Sequence, residues 1–336
     1  MIQAELFETG PDARVICRLC AHQCRLPEGG TGICRVRKNI GGVLYSLNSD
    51  RVTAIHLDPI EKKPLYHFLP GSKTFSIAAM GCNFSCRFCQ NHQISMVAAE
   101  NRISGENISP ERLLQQALEN GAASISYTYT EPTVFFELML ETARLARQRG
   151  IKNVMVTNGY MSDRALSMLA PFLDAANVDL KAFDEKFYQE FCSARLQPVL
   201  ETIAAMHGRG IWLEVTTLLI PGLNDDRRQI ERLIEFLLGL DDRMPWHVSR
   251  FFPQYQMQHV PHTAENSIHE VLSLGSKMGL KYVYGGNLAS DRWNDTLCPQ
   301  CQKKLIARRG YRSEILALQS GKCRFCGEAI PGVWEI

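Results

Sequence analysis

The chain has 336 residues, of which 45% are hydrophobic and 21% are charged, as in globular proteins that bury a large core. Its 37 basic and 35 acidic residues leave a net charge of +2, which gives no global attraction to nucleic acid or acidic lipid. Residues 1–20 lack the apolar segment of a secretory signal, and the apolar runs are too short to span a bilayer. We therefore expect a cytoplasmic protein with no membrane partner.

Twelve cysteines in a chain without an export signal indicate metal binding rather than disulfides. They form an N-terminal set of four, a central set of three and a C-terminal set of four, while Cys192 stands alone. This grouping predicts three segments. They are an N-terminal cysteine-rich module with an extended strap over 1–72, a main domain over 73–290 and a C-terminal zinc-ribbon-like module over 291–336.

The N-terminal set consists of Cys17, Cys20, Cys24 and Cys34. A glycine-rich turn at 29–32 precedes its last member and lets the chain turn back, so four thiolates could close one metal site. Zinc fits this set and so does a second iron–sulfur cluster, and the spacing does not separate them. His22 is either a substitute ligand or a solvated loop residue.

The stretch Asp58–Gly71 contains three prolines, which exclude a regular helix or a central strand. We expect it to form the extended strap across the main domain. Lys62, Lys63 and His67 are expected to be surface charges, although they could reach a substrate.

From Thr74 onward, short apolar runs rich in Val, Ile and Thr alternate with amphipathic stretches. The predicted strands are Thr74–Met80, Ser124–Tyr129, Val154–Thr157, Asn177–Lys181, Trp212–Thr217 and His247–Phe252. The predicted helices are Pro110–Glu119, Val134–Arg149, Asp163–Leu169, a split pair within Glu185–Arg209, Asp226–Leu238 and Glu265–Met278. Right-handed crossovers curl such a parallel sheet toward a barrel. The predicted fold class is α/β, a partial (β/α)6 TIM-type barrel with small cysteine-rich modules at both ends.

The central cysteines, Cys82, Cys86 and Cys89, have C-x3-C-x2-C spacing and no fourth cysteine nearby in the sequence. Zinc sites and ordinary iron–sulfur clusters are usually closed by four protein ligands. Three thiolates could hold three irons of a [4Fe–4S] cube and leave the fourth iron open, which marks a catalytic site. The loop follows the first predicted strand, so it lies on the catalytic face of a barrel. The alternative is three structural cysteines that are buried or metal-bound.

Polar side chains also stand at the carboxyl ends of the later strands, where β/α barrels collect their chemistry. Their hydroxyls, amides, carboxylates and cations would suit a zwitterionic, ribose-bearing ligand. These residues are Tyr129, Thr130, Glu131, Asn158, Asp179, Lys181, Thr216 and His247, with Arg250 close to the last. Asp179 and Lys181 are two residues apart and project to the same side. Taken singly, each residue could equally be a helix cap or part of a barrel ion pair.

The C-terminal set forms two C-x2-C knuckles, which match one four-cysteine zinc site. Its members are Cys298, Cys301, Cys323 and Cys326. Basic residues between the knuckles could contact nucleic acid or an acidic partner protein, or form a solvated face. They are Lys303, Lys304, Arg308, Arg309 and Arg312.

The stretch Met80–Asn91 resembles the cluster loop of radical S-adenosylmethionine (SAM) enzymes related to the pyruvate formate-lyase activating enzyme. In these enzymes an aromatic residue, here Phe88, precedes the third cysteine. The resemblance implies that Cys82, Cys86 and Cys89 hold a catalytic [4Fe–4S] cluster whose open iron binds SAM. Reductive cleavage of SAM then gives a 5′-deoxyadenosyl radical that abstracts hydrogen from a substrate, implied to be a partner protein or a metabolite.

Two further matches imply SAM contacts. Tyr127–Pro132 stands where relatives carry a Gly-Gly-Glu-type motif, so Glu131 is the matching acid although the glycines are absent. Asp179–Lys181 resembles a segment that contacts SAM in the activating enzymes. The residues expected to bind SAM are Phe88, Asn91, Tyr129, Thr130, Glu131, Asn158, Asp179, Lys181, Thr216 and His247.

The flanking segments Cys17–Cys34, Glu61–Pro70 and Ile330–Trp334 resemble the radical SAM member of the AmmeMemoRadiSam system. This resemblance implies Memo-like and AMMECR-like partner proteins and a low-potential electron donor such as flavodoxin or ferredoxin. Two alternatives stay open. One is an RNA-modifying radical SAM enzyme that docks through its terminal basic residues, and the other is a non-catalytic, zinc-rich scaffold.

Overall fold

The computed structural model describes residues 1–97, 102–288 and 292–335. Its core is a sheet of eight strands that lie side by side in chain order. Neighbouring strands run parallel except for the first, which is antiparallel to the second at the edge of the sheet. The strands are β1 (Ala54–Pro59), β2 (Lys73–Ala78), β3 (Ser124–Tyr127), β4 (Lys152–Thr157), β5 (Ala175–Asp179), β6 (Trp212–Leu219), β7 (Trp246–Arg250) and β8 (Val283–Gly286).

One longer helix lies in each connection between parallel strands. These helices are α1 (Pro110–Glu119), α2 (Phe136–Gln148), α3 (Asp163–Leu169), α4 (Leu196–Gly208), α5 (Arg227–Leu240) and α6 (Glu265–Met278). Ser109, Ser162 and Asp226 start α1, α3 and α5, because their side chains accept hydrogen bonds from first-turn backbone amides. Shorter helical turns are His92–Ser95, Glu185–Phe187, the π-helical Tyr188–Cys192, and 3-10 turns at Pro11–Ala13, Ile60–Lys62, Pro132–Phe135, Ala170–Phe172 and Tyr255–Met257. No helix in these described ranges is long and apolar enough to cross a membrane.

The predicted fold class is confirmed, since each predicted strand and helix overlaps an observed one. The parallel alternation nevertheless extends one strand further than predicted, because α6 leads into β8. The sequence pattern also missed β1. This segment pairs with β2 as an edge strand that ends at Pro59, a position where proline is tolerated.

Side chains on or next to five neighbouring strands, β3 to β7, line one cavity, which shows that the sheet is curved. They are Thr128, Val156, Asn177, Thr216 and His247. His247 is the second residue of β7 and Thr216 is the fifth of eight in β6, so both lie before the carboxyl ends at which the sequence placed them. The segment after β1 closes the other end of the sheet. Its Leu65 and Phe68 are fully buried and pack with Val154 of β4 and Ala175 of β5. The predicted strap therefore fills part of the sheet's interior as well as crossing its surface.

The N-terminal residues form three small antiparallel sheets. The first sheet contains Ile2–Gln3, Val43–Ser46 and Arg37–Ile40. The second contains Phe7–Thr9, Val15–Cys17 and Arg25–Leu26. The third pairs Arg51–Val52 with Glu106–Asn107. A buried ion pair fixes this region to α2. Arg37 donates to both carboxylate oxygens of Glu137, at 2.9 and 2.6 Å, and both side chains are buried.

The C-terminal residues form a three-stranded sheet and a short hairpin. The strands are Thr296–Leu297, Lys304–Arg309 and Arg312–Ile315, then Leu318–Gln319 and Lys322–Cys323. Arg308 was expected on a basic surface, but it is 1% exposed and donates to the Tyr66 carbonyl at 2.6 Å. The backbone of Val333 also exchanges bonds with His67 and Leu69 of the strap. The terminal module is thus attached to the main sheet through the strap.

Candidate active site

The loop that carries the central cysteines leaves the end of β2 and opens into the cavity at the carboxyl ends of the strands. Gly81 precedes Cys82 in the left-handed region at φ +109°. A Cβ at this position would lie 2.8 Å from a methyl group of Val36, so the loop needs glycine here both for its turn and for close packing. Cys82, Cys86 and Cys89 all line the cavity.

The cavity has a volume of about 790 Å³. Its wall contains the three central cysteines and all ten residues expected to bind SAM, which are Phe88, Asn91, Tyr129, Thr130, Glu131, Asn158, Asp179, Lys181, Thr216 and His247. Arg250 was also nominated by its strand-end position, but it turns away from the cavity and pairs with Glu265 at 2.7 Å. The structure therefore brings eight of the nine nominated residues together in one cavity, and Arg250 is the exception.

Glu131 lies behind the cluster loop and is 2% exposed. Its Oε1 accepts bonds from the Thr133 amide and hydroxyl and from the Thr157 hydroxyl, at 3.0, 2.5 and 2.8 Å, while its Oε2 accepts one bond from the Asn158 amide at 2.8 Å. Burial raises the pKa of Glu131. It forms no salt bridge within the described chain. The Glu131 carboxylate thus caps the 3-10 turn Pro132–Phe135. Its Oε2 can accept one more hydrogen bond, and no cationic side chain of the described chain pairs with it.

Asn158 ties the end of β4 to the cluster loop. Its side-chain amide donates to Oδ1 of Asn83 at 2.7 Å and approaches the Cys82 sulfur at 3.8 Å. Asn91 makes a similar link from the other end of the loop, because its amide donates to the Tyr129 carbonyl at 2.7 Å. These two side chains therefore fix the loop as well as facing the cavity.

Asp179 and Lys181 form an ion pair of 2.8 Å beside the cysteines, which confirms that the two side chains project to the same side. Burial alone would lower the pKa of Lys181, but the charges of Asp179 and of the Cys86 thiolate raise it well above its ordinary value. The ammonium also lies 5.9 Å from the ring of Phe88. A cation is thus held next to the sulfur atoms.

Cys192, which stands alone in the sequence, contacts the cluster loop. It ends the π-helical turn Tyr188–Cys192, and its carbonyl accepts a bond from the Ser85 amide at 2.9 Å. A hydrogen bond from Cys192 lowers the pKa of the Cys86 thiol. Sequence spacing gave no sign of this pairing, because more than a hundred residues separate the two cysteines. π-Helical turns are frequent at functional sites, and this one supports the middle cysteine.

The strap contributes a second polar group to the cavity. Lys63 is 1% exposed and pairs with Asp58 at 2.8 Å, and Lys62 pairs with the same carboxylate at 2.9 Å. Tyr129 donates its hydroxyl to Asp58, and burial lowers the pKa of Lys63 to about 8. The expectation that Lys63 and His67 are surface charges is wrong, since the strap turns both side chains inward.

His247 lies at the cavity wall on β7 and bonds to Glu214 of β6 at 2.6 Å. Burial alone would raise the pKa of Glu214, but the hydrogen bond and charge of His247 lower it. The same carboxylate accepts the backbone amides of Tyr66 and His67 at 2.9 and 2.8 Å. This buried network connects the strap to strands β6 and β7.

The outer wall of the cavity includes Gly310 and Tyr311, which form the tip of the hairpin between the terminal strands. Ser313, two residues further on, donates to Glu61 of the strap at 2.5 Å. Both C-terminal and strap residues therefore border the cavity.

Residues 77–237 match the radical SAM superfamily. An uncharacterised protein of Methanocaldococcus jannaschii is 40% identical over 333 residues, and the match covers 98% of this chain and 99% of that protein. This chain belongs to the radical SAM superfamily.

A second protein of that organism, described as a glycyl-radical enzyme activating enzyme, is 26% identical to the radical SAM chain over 189 residues. The match covers 54% of this chain and 68% of that protein. The crystal structure of Streptococcus suis SuiB bound to its precursor peptide SuiA has a TM-score of 0.50 and 18% identity, over 68% of this chain and 51% of that one. The structural likeness shows the fold, and the sequence matches confirm homology to activating enzymes.

Membership implies a [4Fe–4S] cluster and SAM as cofactors, and the cavity fits both. The three central cysteines line it. Oδ1 of Asn177 and Oγ1 of Thr216 are buried at its wall and meet no hydrogen-bond partner among the residues that the structure describes. Buried polar atoms are nearly always paired, so these two point to a polar ligand in the radical SAM site.

The C-terminal cysteines of the radical SAM chain converge on one point. Sγ of Cys298 lies 3.5 Å from Sγ of Cys326, and Sγ of Cys301 lies 3.7 Å from Sγ of Cys323. All four sulfurs lie within 4.8 Å of one another. A Zn–S distance of about 2.3 Å in a tetrahedral site would separate its sulfurs by about 3.8 Å, so this set has the size of a single metal ion.

Proposed function

We propose that this chain cleaves SAM reductively at a cluster held by Cys82, Cys86 and Cys89 and removes a hydrogen atom from a substrate in the same cavity. One observation carries the proposal, which is that the three-cysteine loop and the eight residues nominated from the later strands line a single cavity. When bound, the cluster and SAM supply the radical chemistry. The protein contributes the binding and orientation of these groups.

The buried charges of the cavity support a zwitterionic ligand beside the cysteines. Glu131 keeps a free acceptor position for an ammonium group. Lys181 supplies a cation for a carboxylate, and the unpaired oxygens of Asn177 and Thr216 suit hydroxyl or amine donors. Cys192 and Asn158 act as positioning residues, because they bond to the cysteine loop.

The part of the cavity beside the strap is suited to the substrate. Lys62, Lys63 and Tyr129 surround Asp58 there, and Tyr311 closes the outer wall. A cavity of this volume lies in the range of small-molecule sites, so the substrate is a metabolite or a narrow segment of a partner protein. Homology to activating enzymes supports the partner protein.

The sequence resemblance to the AmmeMemoRadiSam system supports Memo-like or AMMECR-like partners and a flavodoxin or ferredoxin donor in the cytoplasm. RNA modification is less well supported, because the basic residue Arg308 is buried in contacts with Tyr66 and Thr296. A zinc-rich scaffold gives no reason for the polar cavity behind the central cysteines. We propose zinc for the C-terminal set, which would make residues 291–336 a metal-stabilised module.

The variant Cys86→Ala tests the proposed function. It should abolish formation of 5′-deoxyadenosine under anaerobic, reducing conditions, because one of three cluster ligands is lost. Product is measured by mass spectrometry, and the zinc content should equal that of the wild type. SAM cleavage at the wild-type rate by this variant would refute the proposal.

A further inference from the structure

The three sets of cysteines differ in how closely their sulfurs approach. Only the C-terminal set, among the residues described, brings three or more potential ligand atoms within 4.8 Å of one another. The central set does not, although superfamily membership implies that it holds a [4Fe–4S] cluster. A cube places each thiolate on a different iron, so its cysteine sulfurs lie farther apart than those around one zinc ion. Sulfur spacing therefore separates the two kinds of site.

The N-terminal sulfurs face a common point but have the wider spacing. A Cβ at Gly32 would lie 3.6 Å from Sγ of Cys34 and 3.8 Å from Sγ of Cys24, so both sulfurs approach the same place. The Cys17 amide donates to the Cys24 carbonyl at 2.9 Å, and the Gln23 amide donates to the Cys20 carbonyl at 3.1 Å, so these cysteines share one compact loop. Within the described chain, no three of these four sulfurs lie within 4.8 Å of one another.

The N-terminal set also touches the catalytic loop. Nε2 of His22 lies 2.7 Å from the carbonyl oxygen of Asn83, next to Cys82. On the other side, the Cβ position of Gly81 is 3.4 Å from the carbonyl oxygen of Cys34. The half-buried His22 therefore joins the two cysteine regions and is not a solvated loop residue, while its role as a metal ligand stays a prediction.

We propose that Cys17, Cys20, Cys24 and Cys34 hold an iron–sulfur cluster rather than zinc, and that this cluster passes electrons to the catalytic one. The relay role rests on the proposed function of the central cysteines. An external one-electron donor of the flavodoxin or ferredoxin class reduces the N-terminal cluster, which is reoxidised when its electron moves to the catalytic cluster. No bond is formed or broken. Ile33 is 49% exposed beside Cys34, so a protein donor can approach this edge.

Metal analysis of anaerobically purified protein tests the first part. Cys24→Ser should lose about half of the iron and acid-labile sulfide and keep its zinc, since one of two clusters is lost. Cys326→Ser is the matched control, and it should lose zinc and keep iron. Loss of zinc in place of iron from Cys24→Ser, or no loss of either, would overturn the cluster assignment.

The variant Cys86→Ala provides a second measurement that does not depend on the folding of Cys24→Ser. It should retain about half of the wild-type iron, bound at the N-terminal site. An iron-free Cys86→Ala protein contradicts an N-terminal cluster. A Cys86→Ala protein with all of the wild-type iron contradicts the proposed function instead.

Electron paramagnetic resonance of the reduced clusters tests the relay. Flavodoxin should reduce the catalytic cluster of the wild type and fail to do so in Cys24→Ser, while dithionite, a small diffusible reductant, should reduce it in both. Equal reduction of both proteins by flavodoxin would overturn the relay and leave the cluster assignment intact.

Discussion

The buried carboxylate of Glu131 provides a sharp test of the cavity as a SAM site. Glu131→Gln keeps Oε1, which accepts three of the four observed bonds. It replaces Oε2 by an amide NH2 group that faces the Asn158 backbone amide, so two hydrogen-bond donors meet where a donor and an acceptor met. The substitution also removes the negative charge.

Two free-energy changes follow. The lost bond to Asn158 and its unsatisfied amide should destabilise the fold by about 1–3 kcal/mol. If Glu131 also accepts a bond from the SAM ammonium, that interaction contributes about 1.5–3 kcal/mol, which corresponds to roughly ten- to a hundredfold weaker SAM binding in the variant. A change in melting temperature alone therefore does not identify the ligand role.

Thr157→Val is the matched control, because it removes one donor to Oε1 and keeps the charge of Glu131. Titration of SAM against the cluster-loaded proteins should show the large loss of affinity in Glu131→Gln and a much smaller one in Thr157→Val. Iron content should be normal in both. Equal affinities in the two variants would refute an ammonium contact and leave Glu131 as a helix cap.

Two further predictions concern the flanking modules. Cys323→Ser should make residues from about 291 onward sensitive to protease while the main domain keeps its iron, because structural zinc supplies on the order of 10 kcal/mol of folding free energy; resistance equal to the wild type would contradict the zinc site. Glu137→Gln should cost about 3–5 kcal/mol by leaving Arg37 buried and unpaired. Burial alone would raise the pKa of Glu137, but Arg37 lowers it in the folded protein. The stability that the ion pair contributes is therefore fully present above the unfolded-state pKa of about 4.3. It is lost as the pH falls through the lower pKa that Glu137 has in the folded protein. Urea unfolding at several pH values should show that acid sensitivity in the wild type and less of it in the variant.

The strand-end residues could be predicted from the sequence because a parallel sheet brings the carboxyl ends of its strands together. Glu131, Asn158, Asp179 and Thr216 follow or end short apolar runs, and the topology then makes them neighbours. The C-x3-C-x2-C spacing added the cluster loop, since a local motif needs no tertiary information. Both inferences depend on regular features of the chain.

The rest of the site depends on contacts between distant segments. Cys192 meets Cys86 because a π-helical turn packs on the loop, and nothing in the local pattern signals this. Lys63 and Arg308 carry charges that favour a surface position, yet Asp58 and the carbonyl of Tyr66 compensate for their burial. Strand β8 was missed because its short apolar segment ends in two glycines.

The cavity draws its two sides from different parts of the chain. The side near the cysteines comes from the sheet, whereas the outer wall comes from the strap and from Gly310 and Tyr311, at the tip of a terminal hairpin. Substitutions at that tip can therefore change the size and polarity of the entrance while every residue around the cysteines stays in place. For protein engineering, this arrangement makes the hairpin the natural segment to randomise when a new substrate is sought.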